Sequence, residues 1–135
     1  MNDNLKFQYN DGGRSKYFKA KNVGDCVCRA IAIASQTDYK VVYNMLKKEQ
    51  NATPRNGVYR KFYDKVIKAL GGKWHASMTI GGGCKVHLRA GEIPEVGRII
   101  CKLSHHLVAV VDGVINDTYD CTRDGNRCVY GYYEF

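Results

Sequence analysis

The chain is predicted to be α+β, with N-terminal helices packed on a C-terminal antiparallel β-sheet. Three observations carry this. Apolar residues recur at helical spacing in successive segments as far as Leu70. Gly71-Gly72 then breaks the pattern, and β-type segments follow. Finally, Asp112-Gly113 separates two β-prone runs, the signature of a hairpin with a type I′ turn. Helices first and strands after is the α+β order.

Residues 1–21 are polar, carry the turn Asp11-Gly12-Gly13, and scatter Phe7, Tyr9, Tyr17 and Phe18 between charges. They are expected to form an extended arm packed across the domain. Gly24-Asp25 is turn chemistry, and Asp25 is a good N-cap. From Cys26 to Ser35 nearly every residue is small or apolar, which predicts a central buried helix. A second helix follows the Thr37-Asp38 cap, with Val41, Val42, Met45 and Leu46 at helical spacing and Lys47-Lys48 near its C-terminus. Residues 51–56 contain Pro54 and read as a loop. A third helix covers about 57–70, with Val58, Phe62, Val66, Ile67 and Leu70 on one stripe, stopped by Gly71-Gly72. Strands are expected at 73–80, 84–88, 98–103, 106–111, 114–119 and 127–133, with Gly81-Gly82-Gly83 as a flexible loop. There are no internal repeats and no low-complexity tract.

A length of 135 residues suits one domain, 1–135, with a real core. No apolar run approaches the roughly 20 residues that span a bilayer, and Met1-Asn-Asp-Asn-Leu-Lys6 has no signal-type apolar region. The expectation is a cytoplasmic protein without a membrane partner. The six cysteines are accordingly expected to be reduced thiols. Cys26-x-Cys28 and Cys84-Lys-Val-His87 are the close pairs, and the absence of paired CxxC knuckles argues against a structural zinc. The net charge of +8 and pI of about 9.2 permit nucleic acid or an acidic partner, but Lys and Arg are spread along the chain rather than clustered.

Cys26 would sit in the first turn of its helix, where unpaired N–H groups and the helix dipole favour a thiolate. The plainer alternative is that Cys26 and Cys28 are small core residues. The two point about 200° apart on a helix, so they cannot face one partner, and Cys28 is the deeper. A cysteine nucleophile needs a base, and the base an orienting group. The hairpin offers both. With Asp112-Gly113 as its loop, Val111 pairs with Val114, Val110 with Ile115 and Ala109 with Asn116. Side-chain alternation then puts His106, Val108, Val110, Ile115, Asp117 and Tyr119 on one face, with Asp117 diagonal to His106. His105 with Asp120 is the alternative pair on the other face. His106–Asp117 is preferred because it lies further inside the ladder, on a face expected to pack against the Cys26 helix.

With these residues in place, Gly24-Asp-Cys-Val-Cys-Arg-Ala-Ile31 resembles the nucleophile segment of ovarian-tumour-type cysteine proteases. The run from His106-Leu-Val-Ala-Val110 to Asn116-Asp117 is similar to the second half of papain-like peptidases, including the peptidase domains of bacteriocin exporters. Nearly the whole chain resembles a family of small phage and bacterial proteins. The matching segments are Tyr9-Asn-Asp-Gly-Gly-Arg14, Gly24-Asp-Cys-Val27 with Arg29-Ala-Ile-Ala-Ile-Ala34, Gly83-Cys-Lys-Val-His-Leu-Arg89, His106 with Val108-Ala-Val110 and Asp112-Gly-Val-Ile115, and Arg127-Cys-Val-Tyr-Gly131. That last resemblance carries no activity with it. The protease resemblance implies a papain-like fold and a cysteine hydrolase (peptidase, isopeptidase or amidase) with Cys26 as nucleophile, His106 as base and Asp117 as orienter. Such an enzyme needs no cofactor and no metal, acts on a protein or peptide, and if phage-encoded works in the host cytoplasm. Papain-like enzymes usually carry a Gln before the nucleophile to complete the oxyanion hole, whereas position 20 here is Ala. Asn22, or backbone N–H groups around Gly24, Asp25 and Cys26, would serve instead. The competing expectation is a catalytically silent papain-like module that binds a host protein or nucleic acid through its basic surface.

Overall fold

The computed structural model describes residues 4–19, 23–77 and 82–135. The fold is α+β, with three α-helices and a six-stranded mixed sheet among the described residues. The helices are α1 (Cys26–Ser35), α2 (Tyr39–Gln50) and α3 (Arg60–Ala69). The strands are β1 (Lys6–Tyr9), β2 (Lys73–Ala76), β3 (Arg98–Leu103), β4 (His106–Val111), β5 (Val114–Asp117) and β6 (Gly131–Glu134), in the sheet order β1-β5-β4-β3-β6-β2.

The central hairpin has the register that its turn dictates. Asp112 and Gly113 both take positive φ, 47° and 78°, as a type I′ turn requires. Val111 pairs with Val114, Val110 with Ile115 and Ala109 with Asn116. β3 and β4 are apolar on both faces because the sheet is covered on both. On one side Ile100, Leu107, Ala109 and Tyr133 pack with α1, α2 and α3. On the other, Ile99, Cys101, Leu103, Val108, Val110 and Ile115 pack with Leu5, Leu88, Ile93, Cys121 and Val129. The face bearing Val108, Val110 and Ile115 is therefore not the face that packs against α1, contrary to expectation. Leu107 and Ala109 meet the helix instead.

The sheet is also not purely antiparallel. β1 adds to β5 in parallel, Lys6 opposite Val114 and Tyr9 opposite Asp117. The expected extended arm is thus an edge strand. It is followed by the turn at Asp11-Gly12-Gly13 and a short 3-10 turn, Arg14–Lys16. Gly12 has φ 71° and lies against α1, where a Cβ would stand 3.1 Å from the Arg29 carbonyl oxygen. Such an approach needs glycine.

α1 matches its predicted span and is buried along most of its length. Its C-terminal carbonyl at Ala34 accepts from Arg98 Nε at 2.8 Å, a cation at the negative end of the helix. α2 is capped as predicted by Asp38, which accepts from the Lys40 N–H at 3.0 Å. α3 starts at Arg60 rather than near Gly57. The 84–88 strand does not form. That segment makes one isolated bridge, His87 with Cys128, and the last strand starts at Gly131 rather than 127. The expected 73–80 strand is seen as Lys73–Ala76, and 78–81 lie outside the described residues.

The cysteines also depart from expectation. Cys84 and Cys128 form a disulfide across 44 residues, leaving Cys26, Cys28, Cys101 and Cys121 free. No helix among the described residues is long and apolar enough to cross a membrane.

Gly131 provides a test of this packing. It pairs with Ala76 on one side and Lys102 on the other, beneath the Trp74 ring. A Cβ there would collide with that ring and stand 2.7 Å from the His75 carbonyl oxygen. Gly131→Ala is expected to cost about 1–3 kcal/mol, the usual scale of overpacking, read as a lower urea midpoint. An unchanged midpoint would refute the packing described here.

Candidate active site

The β4–β5 ladder ends at Ala109–Asn116, while β4 continues to His106 and β5 to Asp117. The two side chains therefore lie beyond the last ladder pair, at the open end of the hairpin. There the His106 Nε2 meets Asp117 Oδ2 at 2.6 Å. Both residues are buried, His106 at 8% and Asp117 at 3% exposure. The N-terminal turn of α1 comes to the same end of the hairpin, where Cys26, His106 and Leu107 line one cleft, and Cys26 and His106 are near enough for each to shift the other's ionisation.

The electrostatics follow from these contacts. Burial pushes the Cys26 thiol up. The hydrogen bond and charge of His106, the Leu107 N–H and the Arg29 charge outweigh it, so the thiol lies below its ordinary range. For His106 burial favours the neutral ring, but the hydrogen bond to Asp117 and the nearby Cys121 and Cys26 hold the imidazolium well above its usual value. For Asp117 burial again opposes charge, and His106, the Thr118 N–H and Arg29 keep the carboxylate ionised below its usual range. Along this row of side chains each shift favours the ionised form: thiolate, imidazolium and carboxylate.

Behind the row stands a buried ionic network that sequence reading did not find. Asp117 Oδ1 accepts from Arg29 Nη2 at 3.1 Å and from the Thr118 N–H at 2.7 Å. Arg29 also ion-pairs with Asp25. Asp25 Oδ1 accepts from Arg14 Nη1 at 3.0 Å, and its Oδ2 from the Tyr39 hydroxyl at 2.7 Å. Two arginines thus face two carboxylates, all buried. Arg29 Nε is left buried without a partner. Asp25 does occupy the N-cap position, but its side chain makes no capping bond. Two arginines outcompete backbone N–H groups for a buried carboxylate. The missed signal was Asp25-x-x-x-Arg29, an i,i+4 pair on a face otherwise apolar.

The remaining candidates separate cleanly. Cys28 is fully buried and donates to the Tyr39 carbonyl, Sγ to O 3.7 Å. Burial pushes its thiol up to about 12. His105 is exposed with φ 56°, and Asp120 accepts from Thr122 N and Oγ1 at 3.0 and 2.7 Å, so His105–Asp120 is not a pair. Gly24 forms an isolated bridge with Asn56, its carbonyl accepting from the Gly57 N–H at 2.9 Å. Asn22 lies outside the described residues. Cys121, which sequence reading did not single out, is buried with its sulfur within 4.8 Å of a His106 ring nitrogen.

Cys26 and His106 open on a cleft of about 550 Å³. Asn56, Tyr59, Arg60, Tyr63 and Lys102 stand among its walls, whereas Gly24 and Asp25 do not. Arg60 lies over the Trp74 ring and Lys102 over the Tyr130 ring. Neither forms an ion pair with a described acidic residue. Burial, then the nearby Arg60, lower the Lys102 ammonium below its usual value. His106, Asp117 and Cys121 also have their ligand-type atoms within 4.8 Å of one another. The imidazole and carboxylate are already spent on each other and on Arg29, so this is a hydrogen-bonded cluster.

Comparison with family models, with curated proteins and with solved structures finds no match to this chain.

Proposed function

We propose that the protein is a cysteine hydrolase of papain-like arrangement, acting on peptide, isopeptide or amide bonds. One observation carries the proposal. Cys26, at the start of a buried helix, lines the same cleft as His106, which bonds to Asp117. In this reading the Cys26 thiolate attacks the substrate carbonyl carbon, and the C=O electron pair moves onto oxygen. The His106 imidazolium then gives its proton to the leaving amine as the C–N bond breaks, and a thioester remains. Neutral His106 next takes a proton from water, whose oxygen attacks the thioester. The Cys26 thiolate leaves, and the acid product departs. Asp117 is a positioning residue that fixes the ring and favours the imidazolium. The N–H groups of the first turn of α1 and the Asn56 amide, on the same cleft wall, are the donors available to a developing oxyanion. Arg60 and Lys102 favour substrates with an anionic group near the scissile bond.

The test is the pH dependence of alkylation by iodoacetamide, followed thiol by thiol. A group whose pKa is depressed is ionised further down the pH scale. Cys26 is therefore expected to react with a midpoint below about 8.5, the free-thiol value, and ahead of Cys28, Cys101 and Cys121, whose thiols burial pushes up. Asp117→Asn removes the charge that holds the imidazolium, so the Cys26 midpoint should move up. Cys26 reacting no faster than the other free thiols would overturn the enzyme reading and leave a binding module.

A further inference from the structure

On the far side of the sheet from α1, three metal-type side chains converge that the hydrolase chemistry does not use. Cys84, His87 and Cys128 bring their ligand atoms within 4.8 Å of one another. Cys84 and His87 come from the segment before Leu88. Cys128 comes from the segment before β6, and the two segments are stitched together by backbone bonds. Leu88 N–H donates to the Arg127 carbonyl and Val129 N–H to the Val86 carbonyl, both at 2.8 Å. The ligand positions are therefore held by the fold as well as by the disulfide.

A disulfide has no need of an imidazole, yet one is oriented here. His87 Nε2 lies 3.4 Å from Cys84 Sγ, and His87 Nδ1 lies 3.0 Å from Glu92 Oε1. That carboxylate also accepts the His87 backbone N–H at 3.1 Å and is ion-paired to Arg89. A carboxylate on one ring nitrogen, with the other facing sulfur, is the outer-shell arrangement of metal-bound histidines. The spacing fits as well. Bond lengths of about 2.3 Å to sulfur and 2.0–2.1 Å to nitrogen give a tetrahedral S···N edge of about 3.6 Å.

We propose that Cys84, His87 and Cys128 bind a zinc ion when the Cys84–Cys128 disulfide is reduced. A dithiol reductant supplies two electrons and two protons to the disulfide and is itself oxidised to a disulfide. Zinc then displaces the two thiol protons and takes the His87 Nε2 lone pair. Three protein ligands leave a fourth position, and because Cys84 is exposed that position faces solvent. Two thiolates and an imidazole select zinc among the common divalent ions over magnesium or calcium. The missing CxxC knuckles concealed the site, since Cys128 joins the Cys84-x-x-His87 pair from 44 residues away. Disulfide and zinc would bridge the same two segments, so the chain would keep this clamp in oxidising and reducing surroundings alike.

The test uses the full chain, reduced with dithiothreitol, freed of metal and reductant without air, and titrated with Co²⁺. The expected result is a tetrahedral cobalt spectrum with thiolate charge transfer, saturating at one equivalent and bleached by one equivalent of Zn²⁺. Cys84→Ser and His87→Ala should lose saturable binding. Glu92→Gln touches neither sulfur and keeps the ring, so it remains informative if those variants fail to fold. It should weaken binding about 10- to 100-fold. Absence of thiolate charge transfer in the reduced chain would overturn the proposal. So would full binding by Cys84→Ser, or by Glu92→Gln. Loss of binding in Cys121→Ser with retention in Cys84→Ser would place the metal at the His106 cluster and equally overturn it.

Discussion

Replacing Cys26 with alanine is expected to lower hydrolysis of a responsive substrate by on the order of 10⁴–10⁶-fold, the scale on which single nucleophile removals act. His106→Ala should fall as far, and the double variant Cys26→Ala/His106→Ala no further. In the proposed mechanism nucleophile and base act as one unit, so losing either forfeits the same covalent route. Two near neighbours serve as controls. His105→Ala should retain activity, because His105 is exposed and the Asp120 carboxylate is engaged by Thr122. Cys28→Ala should also retain it while losing stability, since Cys28 is wholly buried and its thiol bonds to Tyr39. The measurement is turnover of a peptide and isopeptide panel that includes acidic residues beside the scissile bond. Full activity in Cys26→Ala, or loss in Cys28→Ala alone, would mean that the wrong thiol has been assigned.

The largest stability effect is expected at Asp25 rather than at any apolar residue. Asp25 is fully buried, and its carboxylate binds Arg14, Arg29 and Tyr39 together. Asp25→Ala leaves Arg14 without its carboxylate and Arg29 with Asp117 alone. Removing one partner from a buried ion pair costs about 3–5 kcal/mol, because the other charge stays out of water uncompensated. For a domain of this size, with a urea slope of roughly 1–3 kcal/mol per molar, that is a large part of the whole transition. The Lys68–Asp64 pair, an exposed lysine on a half-buried carboxylate, is the comparison. Asp64→Ala removes a surface ion pair worth about 0–1 kcal/mol along with the Tyr133 hydroxyl's acceptor. Urea midpoints rank the two variants. Asp25→Ala falling no further than Asp64→Ala would show that the network is not holding the arm to α1.

What could be read from sequence was local. α1 announced itself by an apolar run after a turn, and the hairpin by Asp112-Gly113, whose turn geometry settles the register by counting. That count alone placed Asp117 diagonal to His106. What could not be read was set by long-range pairing. The arm carries no β alternation strong enough to name β5 as its partner, so β1 and the parallel edge were missed. The expected 84–88 strand had enough apolar residues but found only one bridging partner, Cys128. Asp25 looked like a cap because capping is a local property, whereas Arg14 reaches it only once the Asp11-Gly12-Gly13 turn has folded back over α1. The helix-facing side of β4 was misassigned because alternation gives two faces without saying which one the helices cover.

The Arg29–Asp117 ion pair joins positions 88 residues apart, and Asn10 meets Asn116 across 106. A ribosome adding about 5–20 residues per second takes roughly 4 to 18 seconds to make the chain between Arg29 and Asp117. Throughout that interval Cys26 has left the catalytic centre of the ribosome without His106 or Asp117 beside it. It is then an ordinary thiol, short of the neighbours that favour its ionised form. In the proposed function, reactivity would thus be timed to completion of the sheet, and a chain interrupted before Asp117 would carry Cys26 without the carboxylate that holds His106.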